Sequence, residues 1–156
     1  DLGSDLSDYS VIVISDYDKG YLTSKFIKEF VKELKNTKVF VDSKKSNLEV
    51  FENCTVKINE KESKKVKKST KENLDMIVTL GPHGCTYQGK LFETNSVEVY
   101  DVCGAGDVFL SALVCRWLET NDMNKSIKTA NSCATLSVTK LGCYTIKREE
   151  YENLRF

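Results

Sequence analysis

The stretch "VYDVCGAGDVFLSALVCRWL", residues 99–118, decides how the rest of the chain is read. Upstream, Val97, Val99 and Val102 read as the end of a β-strand. Downstream, Phe109, Leu110, Leu113, Val114, Trp117 and Leu118 recur at helical spacing, as one apolar stripe facing a core. The junction holds Gly104, Ala105, Gly106 and Asp107, where a helix leaves four backbone N–H groups unpaired. Glycines shape tight turns and Asp is a favoured N-cap, so shape alone is one reading. On the other, small residues let an anion approach the bare N–H groups, with the helix dipole adding positive potential. A given tetrapeptide of this kind occurs by chance on the order of once in ten thousand to a hundred thousand positions. The rest of the chain has to decide between them.

A chain of 156 residues is the size of one ordinary domain and long enough for a real core. No stretch approaches the ~20 apolar residues of a membrane span. Lys plus Arg and Asp plus Glu both number 23, so no global basic field argues for nucleic acid. The lysine cluster "KESKKVKKSTK" (61–71) has few apolar positions and no aromatics, and reads as a solvated helix or loop. The six cysteines (54, 85, 103, 115, 133, 143) are scattered, without a CxxC or a Cys/His cluster. Reduced, mostly buried thiols in a cytoplasmic protein are expected, rather than a disulfide scaffold or a zinc site. The single histidine, His83, lies in a Gly-Pro-His-Gly turn with no partner for metal or triad chemistry. No signal peptide is expected. The opening "DLGSDLSDYSVIVISDY" has no Met and reaches a strand almost at once, which looks like the middle of something longer.

Strands and helices alternate along the chain. "YSVIVIS" (9–15) reads as a buried parallel strand. "LTSKFIKEFVKELKN" (22–36) is a helix with Thr23 as N-cap and Phe26, Ile27, Phe30, Val31 and Leu34 on one face. "KVFVD" (38–42) is a strand followed by a short polar segment, "CTVKIN" (54–59) a third strand and "DMIVTLG" (75–81) a fourth. "GCTYQGKLFET" (84–94), with Gln88-Gly89 between its arms, is a β-hairpin. A last strand leads into the tetrapeptide and its helix. A second helix, 124–141, ends at Gly142 as its C′ residue. This is an α/β pattern with a mainly parallel sheet flanked by helices, in one domain. Ligands bind such sheets beyond the carboxyl ends of the strands. There the chain places Ser15-Asp16, Asp42, Asn59 with Glu62, Thr79 with Gly81, and finally the tetrapeptide.

Those residues carry a resemblance. "DVCGAGDVF" (101–109) resembles the D-x-x-G-A-G-D-x-F signature of the ribokinase/PfkB carbohydrate kinases. "NEKE" (59–62) resembles that family's N-x-x-E element, and "VTLGPHG" (78–84) its glycine-bearing nucleotide strand. "ANSCATLSVTKLG" (130–142) is similar to the helix and Lys-x-Gly turn that close its adenine pocket. Within the family, "SDYDKGYLT" (15–23) resembles the subgroup of D-glycero-β-D-manno-heptose-7-phosphate kinases, the kinase modules of ADP-heptose synthases. The resemblance covers essentially the whole chain. It implies a ribokinase-like (Rossmann-like) α/β fold, of which residues 1–156 are the C-terminal, nucleotide-binding part. The N-terminal half, with the lid and most sugar contacts, is lacking.

The resemblance further implies phosphoryl transfer from ATP to a sugar or sugar-phosphate hydroxyl. Backbone N–H groups of Gly104, Ala105, Gly106 and Asp107 would form an anion hole, and the Asp107 carboxylate would accept the hydroxyl proton. Asn59 and Glu62 would hold Mg²⁺ through waters. Lys57 would neutralise phosphate charge, or else is a solvated surface lysine. Thr79, Gly81 and Gly84 would belong to the nucleotide strand and its turn, and Asn131 with Gly142 would frame the adenine. Asp101 and the Cys103 carbonyl match a position where many members hold a monovalent cation such as K⁺; a structural turn is the alternative. Asp16 and Lys19 would face the sugar phosphate, or else make a strand-end turn. Rival readings are a kinase of the same fold for another sugar or a nucleoside, and a catalytically inactive nucleotide-binding fragment. A homo-oligomer is compatible with the sequence, which does not decide the point.

Overall fold

The β-branched run that starts at Val11 becomes the first of four parallel strands in the computed structural model, which describes residues 6–34, 37–67, 70 and 74–156. Two units result, Asp1–Thr79 and Leu80–Phe156. The first contains β1 (Val11–Asp16), α1 (Ser24–Glu33), β2 (Lys38–Ser43), β3 (Thr55–Asn59), the single turn α2 (Glu60–Ser63) and β4 (Asp75–Thr79). β1 pairs with β2, β2 with β3 and β3 with β4, all in parallel. The register sets Asp16 beside Ser43, Asp42 beside both Ser15 and Lys57, and Asn59 beside Thr79. The polar residues that end the strands therefore form one row along the carboxyl edge.

Helix α1 starts where Thr23 accepts a hydrogen bond from the Phe26 N–H (3.2 Å). Its apolar face places Ile27 and Leu34 in the core, with Phe30 and Val31 packed against it. Phe26 is 41% exposed and stacks on Phe30 instead. The same core takes Ile14, Val39, Val41, Val56 and Ile58 from the strands. It also takes Leu48, Val50 and Phe51, from a 3₁₀ turn (Leu48–Phe51) inside the segment expected to be merely polar. β1 is parallel as expected but less buried than expected, with Val13 47% exposed. Of the lysine-rich stretch, residues 68, 69 and 71 lie outside the described residues. Its beginning is the turn α2, and Val66 and Thr70 are buried.

The second unit contains β5 (Cys85–Tyr87), β6 (Lys90–Phe92), α3 (Ala105–Thr120), α4 (Met123–Val138) and α5 (Arg148–Leu154). β5 and β6 form the expected antiparallel hairpin, closed by Gln88 and Gly89 at φ 48° and 74°, the two positive φ angles of a type I′ turn. Gly84, just before β5, is at φ 87°, and a Cβ there would strike the Phe92 carbonyl group. Helices α3 and α4 pack on each other, and Phe109, Leu110 and Leu113 of the one and Ile127, Ala130 and Cys133 of the other are buried.

Two expectations fail for one reason. Residues 97–102 are not a strand, and Val97, Val99 and Val102 are 36%, 52% and 71% exposed. α4 ends at Val138 with Thr139 as C-cap, short of Gly142. The carbonyl of Val138 accepts the N–H groups of both Tyr100 and Asp101, at 2.8 and 3.3 Å. The segment thus takes its backbone partner from the end of a helix rather than from a neighbouring strand, and the same bonds satisfy the helix terminus. Asn124 is not the helix start either: Asp122 is the N-cap, accepting from the Lys125 N–H.

Candidate functional site

Along the carboxyl edge of the first unit, charges are paired in depth. Lys57 is 4% exposed and donates to Asp42 Oδ2 at 2.7 Å, so it is not a solvated surface lysine. The other Asp42 oxygen, Oδ1, is buried without a hydrogen-bond partner, and the Lys44 ammonium stands 3.8 Å away. Lys44 in turn donates to Glu62 Oε1 at 2.6 Å. Burial opposes the Lys44 charge, yet the Glu62 and Asp42 carboxylates outweigh it and raise its pKa.

Asn59 and Glu62 form a capping box at the start of α2. Asn59 Oδ1 accepts from the Glu62 N–H at 2.9 Å, and Glu62 Oε2 accepts from the Asn59 N–H at 2.8 Å. Burial works against ionisation of Glu62, but the Asn59 amide and Lys44 hold its carboxyl below the usual carboxylate range. Each Glu62 oxygen accepts one bond and keeps a lone pair for a water. Among the described residues no group of three or more His, Cys, Asp or Glu is placed to hold a metal. With both oxygens already accepting, Glu62 suits a cation held through waters better than one that it ligates directly.

Asp16 is 5% exposed and enclosed: Ser43 Oγ donates to it at 3.1 Å, the Asp18 N–H at 3.0 Å, and the Lys45 ammonium lies 3.3 Å off. Lys45 also donates to Asp18 at 2.6 Å; these carboxylates, Asp18 first, raise its pKa. Lys19 is exposed. The strand-end turn is thus the role the contacts show for Asp16. Sequence reasoning misses Lys44 and Lys45, because the carboxylates to which they donate, Glu62 and Asp18, lie 18 and 27 positions away. Thr79 Oγ1 donates to the Ile58 carbonyl at 3.3 Å.

In the second unit the tetrapeptide turns the chain into α3. Gly104 is the N-cap, at φ 74°, and no side chain caps the helix. Asp107 sits in the first turn instead, and its carboxylate has no hydrogen-bond partner among the described residues. The N–H groups of Ala105 and Asp107 already donate to the carbonyls of Val102 (3.3 Å) and Gly104 (3.0 Å). Among the described residues, those of Gly104 and Gly106 have no such partner. An anion would therefore meet two amides rather than the expected four. Gly104, Asp107, Ser111, Cys143, Tyr144 and Arg148 line a cavity of about 540 Å³, the size of an ordinary small-molecule site.

Asp101 holds this turn from behind. Its Oδ1 accepts from the Cys103 N–H at 2.9 Å and its Oδ2 from the Gly142 N–H at 3.0 Å, which is the structural-turn alternative. Each oxygen retains capacity for a further ligand. Asn131 is 6% exposed and donates to the Phe92 carbonyl at 2.9 Å. It ties α4 to the hairpin. Gly81 and Gly84 bracket a 3₁₀ turn (Gly81–His83), in which Leu80 N–H donates to the Gly84 carbonyl at 2.7 Å. No described helix is long and apolar enough to cross a membrane.

The model of the pfkB family carbohydrate kinases matches residues 15–150. This chain belongs to that family. It is 33% identical over 166 residues to the bifunctional protein HldE of Campylobacter concisus, covering 92% of this chain and 35% of that protein. Identity to the HldE of Hydrogenovibrio crunogenus is 32%, over 94% of this chain and 35% of that one. The chain thus spans about a third of the curated relatives it matches. The ribokinase of Thermotoga maritima superposes with a TM-score of 0.77 at 24% identity, over 96% of this chain and 57% of that one. Ribokinase from Arabidopsis thaliana, complexed with ribose and ATP, gives 0.71 at 19%, over 93% and 55%. Phosphofructokinase-2 from Escherichia coli, in complex with potassium, gives 0.73 at 16%, over 92% and 55%. The fold is therefore ribokinase-like, and the chain represents part of it.

Proposed function

We propose that this chain is the nucleotide-binding part of an ATP-dependent sugar kinase that phosphorylates a hydroxyl of a heptose 7-phosphate. The observation that carries the reading is the turn into α3: an unpartnered Asp107 carboxylate and two unpaired amides beside a cavity of about 540 Å³. The family membership and the ATP-bound ribokinase of like fold support the nucleotide. The heptose rests on the resemblance of residues 15–23, and the HldE relatives support it.

In phosphoryl transfer the transition state is loose, so the protein contributes mainly positioning and electrostatics. Asp107 accepts the proton of the attacking hydroxyl. The Gly104 and Gly106 amides, aligned with the positive end of the α3 dipole, stabilise charge on the transferred oxygens. Mg²⁺, held through waters by Glu62 and Asn59, would supply charge neutralisation at the phosphates. Lys44 and Lys57 form the positive side of that edge, and Asp42 and Glu62 fix where the ammonium groups stand. Asp101 and the Cys103 carbonyl would take a monovalent cation, which the potassium-bound relative of like fold supports.

The test is Asp107→Asn in a full-length kinase containing this chain. Turnover of heptose 7-phosphate should fall by about a hundredfold or more, in the range for losing a general base, while ATP affinity stays within about twofold. Steady-state kinetics and calorimetric titration of ATP measure the two. Unchanged turnover would remove Asp107 from the reaction, and turnover of ribose or a nucleoside in place of the heptose would move the substrate assignment.

A further inference from the structure

Cys103 and Cys143 are 40 positions apart in the chain, yet their sulfurs lie 2.9 Å from each other. Both are exposed, free thiols. The cause of the approach is Asp101, whose two oxygens accept the N–H of Cys103 and the N–H of Gly142, the residue before Cys143. One carboxylate thereby pins both segments. Gly104 completes the seat: the Cβ direction it leaves empty meets Cys143 Cβ and Sγ, each at 3.6 Å. Cys54, Cys85 and Cys133 are buried, and burial pushes their thiols up to about 12, 12 and 11. Cys115 is exposed, and the thiol that feels its charge is the buried Cys133. A bonded pair of sulfurs stands about 2.05 Å apart, so the two thiols are within about an ångström of bonding distance.

We propose that Cys103 and Cys143 form a reversible dithiol–disulfide site whose co-reactant is a low-molecular-weight disulfide such as oxidised glutathione. One thiolate attacks the glutathione disulfide, releases one glutathione and leaves a mixed disulfide on the protein. The second thiolate attacks the protein sulfur of that adduct, forms the Cys103–Cys143 bond and releases the second glutathione. The protein loses two electrons and two protons, and both appear in two molecules of reduced glutathione. The bond would strap the residue before Gly104 to the residue after Gly142, directly behind the turn that opens α3. All six cysteines are free in the structure, as the sequence leads one to expect; the bridge forms only with the oxidised co-reactant, and the proposal does not rest on the kinase reading.

The chain, folded, is incubated with oxidised glutathione, quenched with iodoacetamide, digested with trypsin and read by mass spectrometry. Peptides 91–116 and 141–147 should appear joined through Cys103 and Cys143, and dithiothreitol should release them. Because the partner thiol is already in place, the bridge should exceed glutathione adducts on the same two residues by about tenfold or more. The Cys115→Ser chain should behave identically, since peptide 91–116 then holds a single thiol. In Cys103→Ser, Cys143 should stop as a stable glutathione adduct. Lasting adducts on both cysteines of the parent chain, a bridge to Cys115, or simple alkylation of both thiols would each overturn the proposal.

Discussion

Lys57 and Asp42 illustrate what a charge does when strand register, rather than solvent, chooses its neighbour. Both side chains are nearly enclosed, at 6% and 11% exposure. Lys57→Met would leave the Asp42 carboxylate buried and without its nearest cation. The expected loss is about 3–5 kcal/mol, the usual cost of breaking a buried pair from one side. Replacing Asp42 by Asn in the same chain should return part of it. Urea melts of the two variants measure both numbers. Glu62 gives a pH signature. Its folded carboxyl titrates below the unfolded one, so its charge stabilises the fold above the unfolded value near 4.3. That contribution fades as pH falls through the lower folded value. Glu62→Gln keeps a side chain able to accept from the Asn59 N–H but removes the charge. The variant should be less stable by up to about 1 kcal/mol at pH 7, and the gap should narrow as the pH falls through the lowered folded value. Denaturant melts at pH 7, 5 and 3 would show it.

At the scale of elements, two glycines with similar φ angles answer to different constraints. Gly104 at 74° caps α3, and a Cβ there would make ordinary contact with Cys143. Gly104→Ala therefore costs mainly the left-handed conformation, about 1–2 kcal/mol. Gly84 at 87° lies against the Phe92 carbonyl, which belongs to the backbone of its own hairpin partner and cannot swing away. Gly84→Ala must push β6 aside and should cost clearly more than Gly104→Ala, including loss of the Asn131 bond to that same carbonyl. Thermal melts of the two alanine variants rank them, and an equal or reversed order would contradict the packing at Phe92.

For the whole molecule, coverage governs what can be expected of the chain alone. Residues 1–156 span 35% of the HldE of Campylobacter concisus and 57% of a ribokinase of like fold. Holding a sugar hydroxyl in line with a phosphate can be worth roughly 7–11 kcal/mol, and each ~1.4 kcal/mol is tenfold in rate. A chain that carries Asp107 and its amides but only part of such a fold should bind ATP weakly and phosphorylate sugars many orders of magnitude more slowly than a whole kinase. A coupled assay for ADP release, with ATP titrated calorimetrically beside it, checks this. Brisk sugar phosphorylation by the 156-residue chain would place the substrate site within it.

The elements legible in the sequence are those whose cause is local. Thr23 caps α1 through a residue three positions on, Gln88-Gly89 closes a hairpin between adjacent strands, and the apolar runs at 11–16, 38–43, 55–59 and 75–79 become parallel strands. The Gly-Ala-Gly-Asp turn was equally visible, because left-handed glycine and a helix start are properties of a few consecutive residues. Tertiary structure decided the rest. Val97, Val99 and Val102 have a strand-like pattern, but a strand needs a partner, and the Val138 carbonyl took residues 100 and 101 instead. Leu48, Val50 and Phe51 enter the core because α1 and the strands leave space there, which no local period encodes. Lys44, Lys45, Asn131 and the Cys103–Cys143 pair acquire their roles from groups 18 to 40 positions away. A charge, an amide or a thiol reads the same in any chain, and only folding chooses the atom placed opposite it.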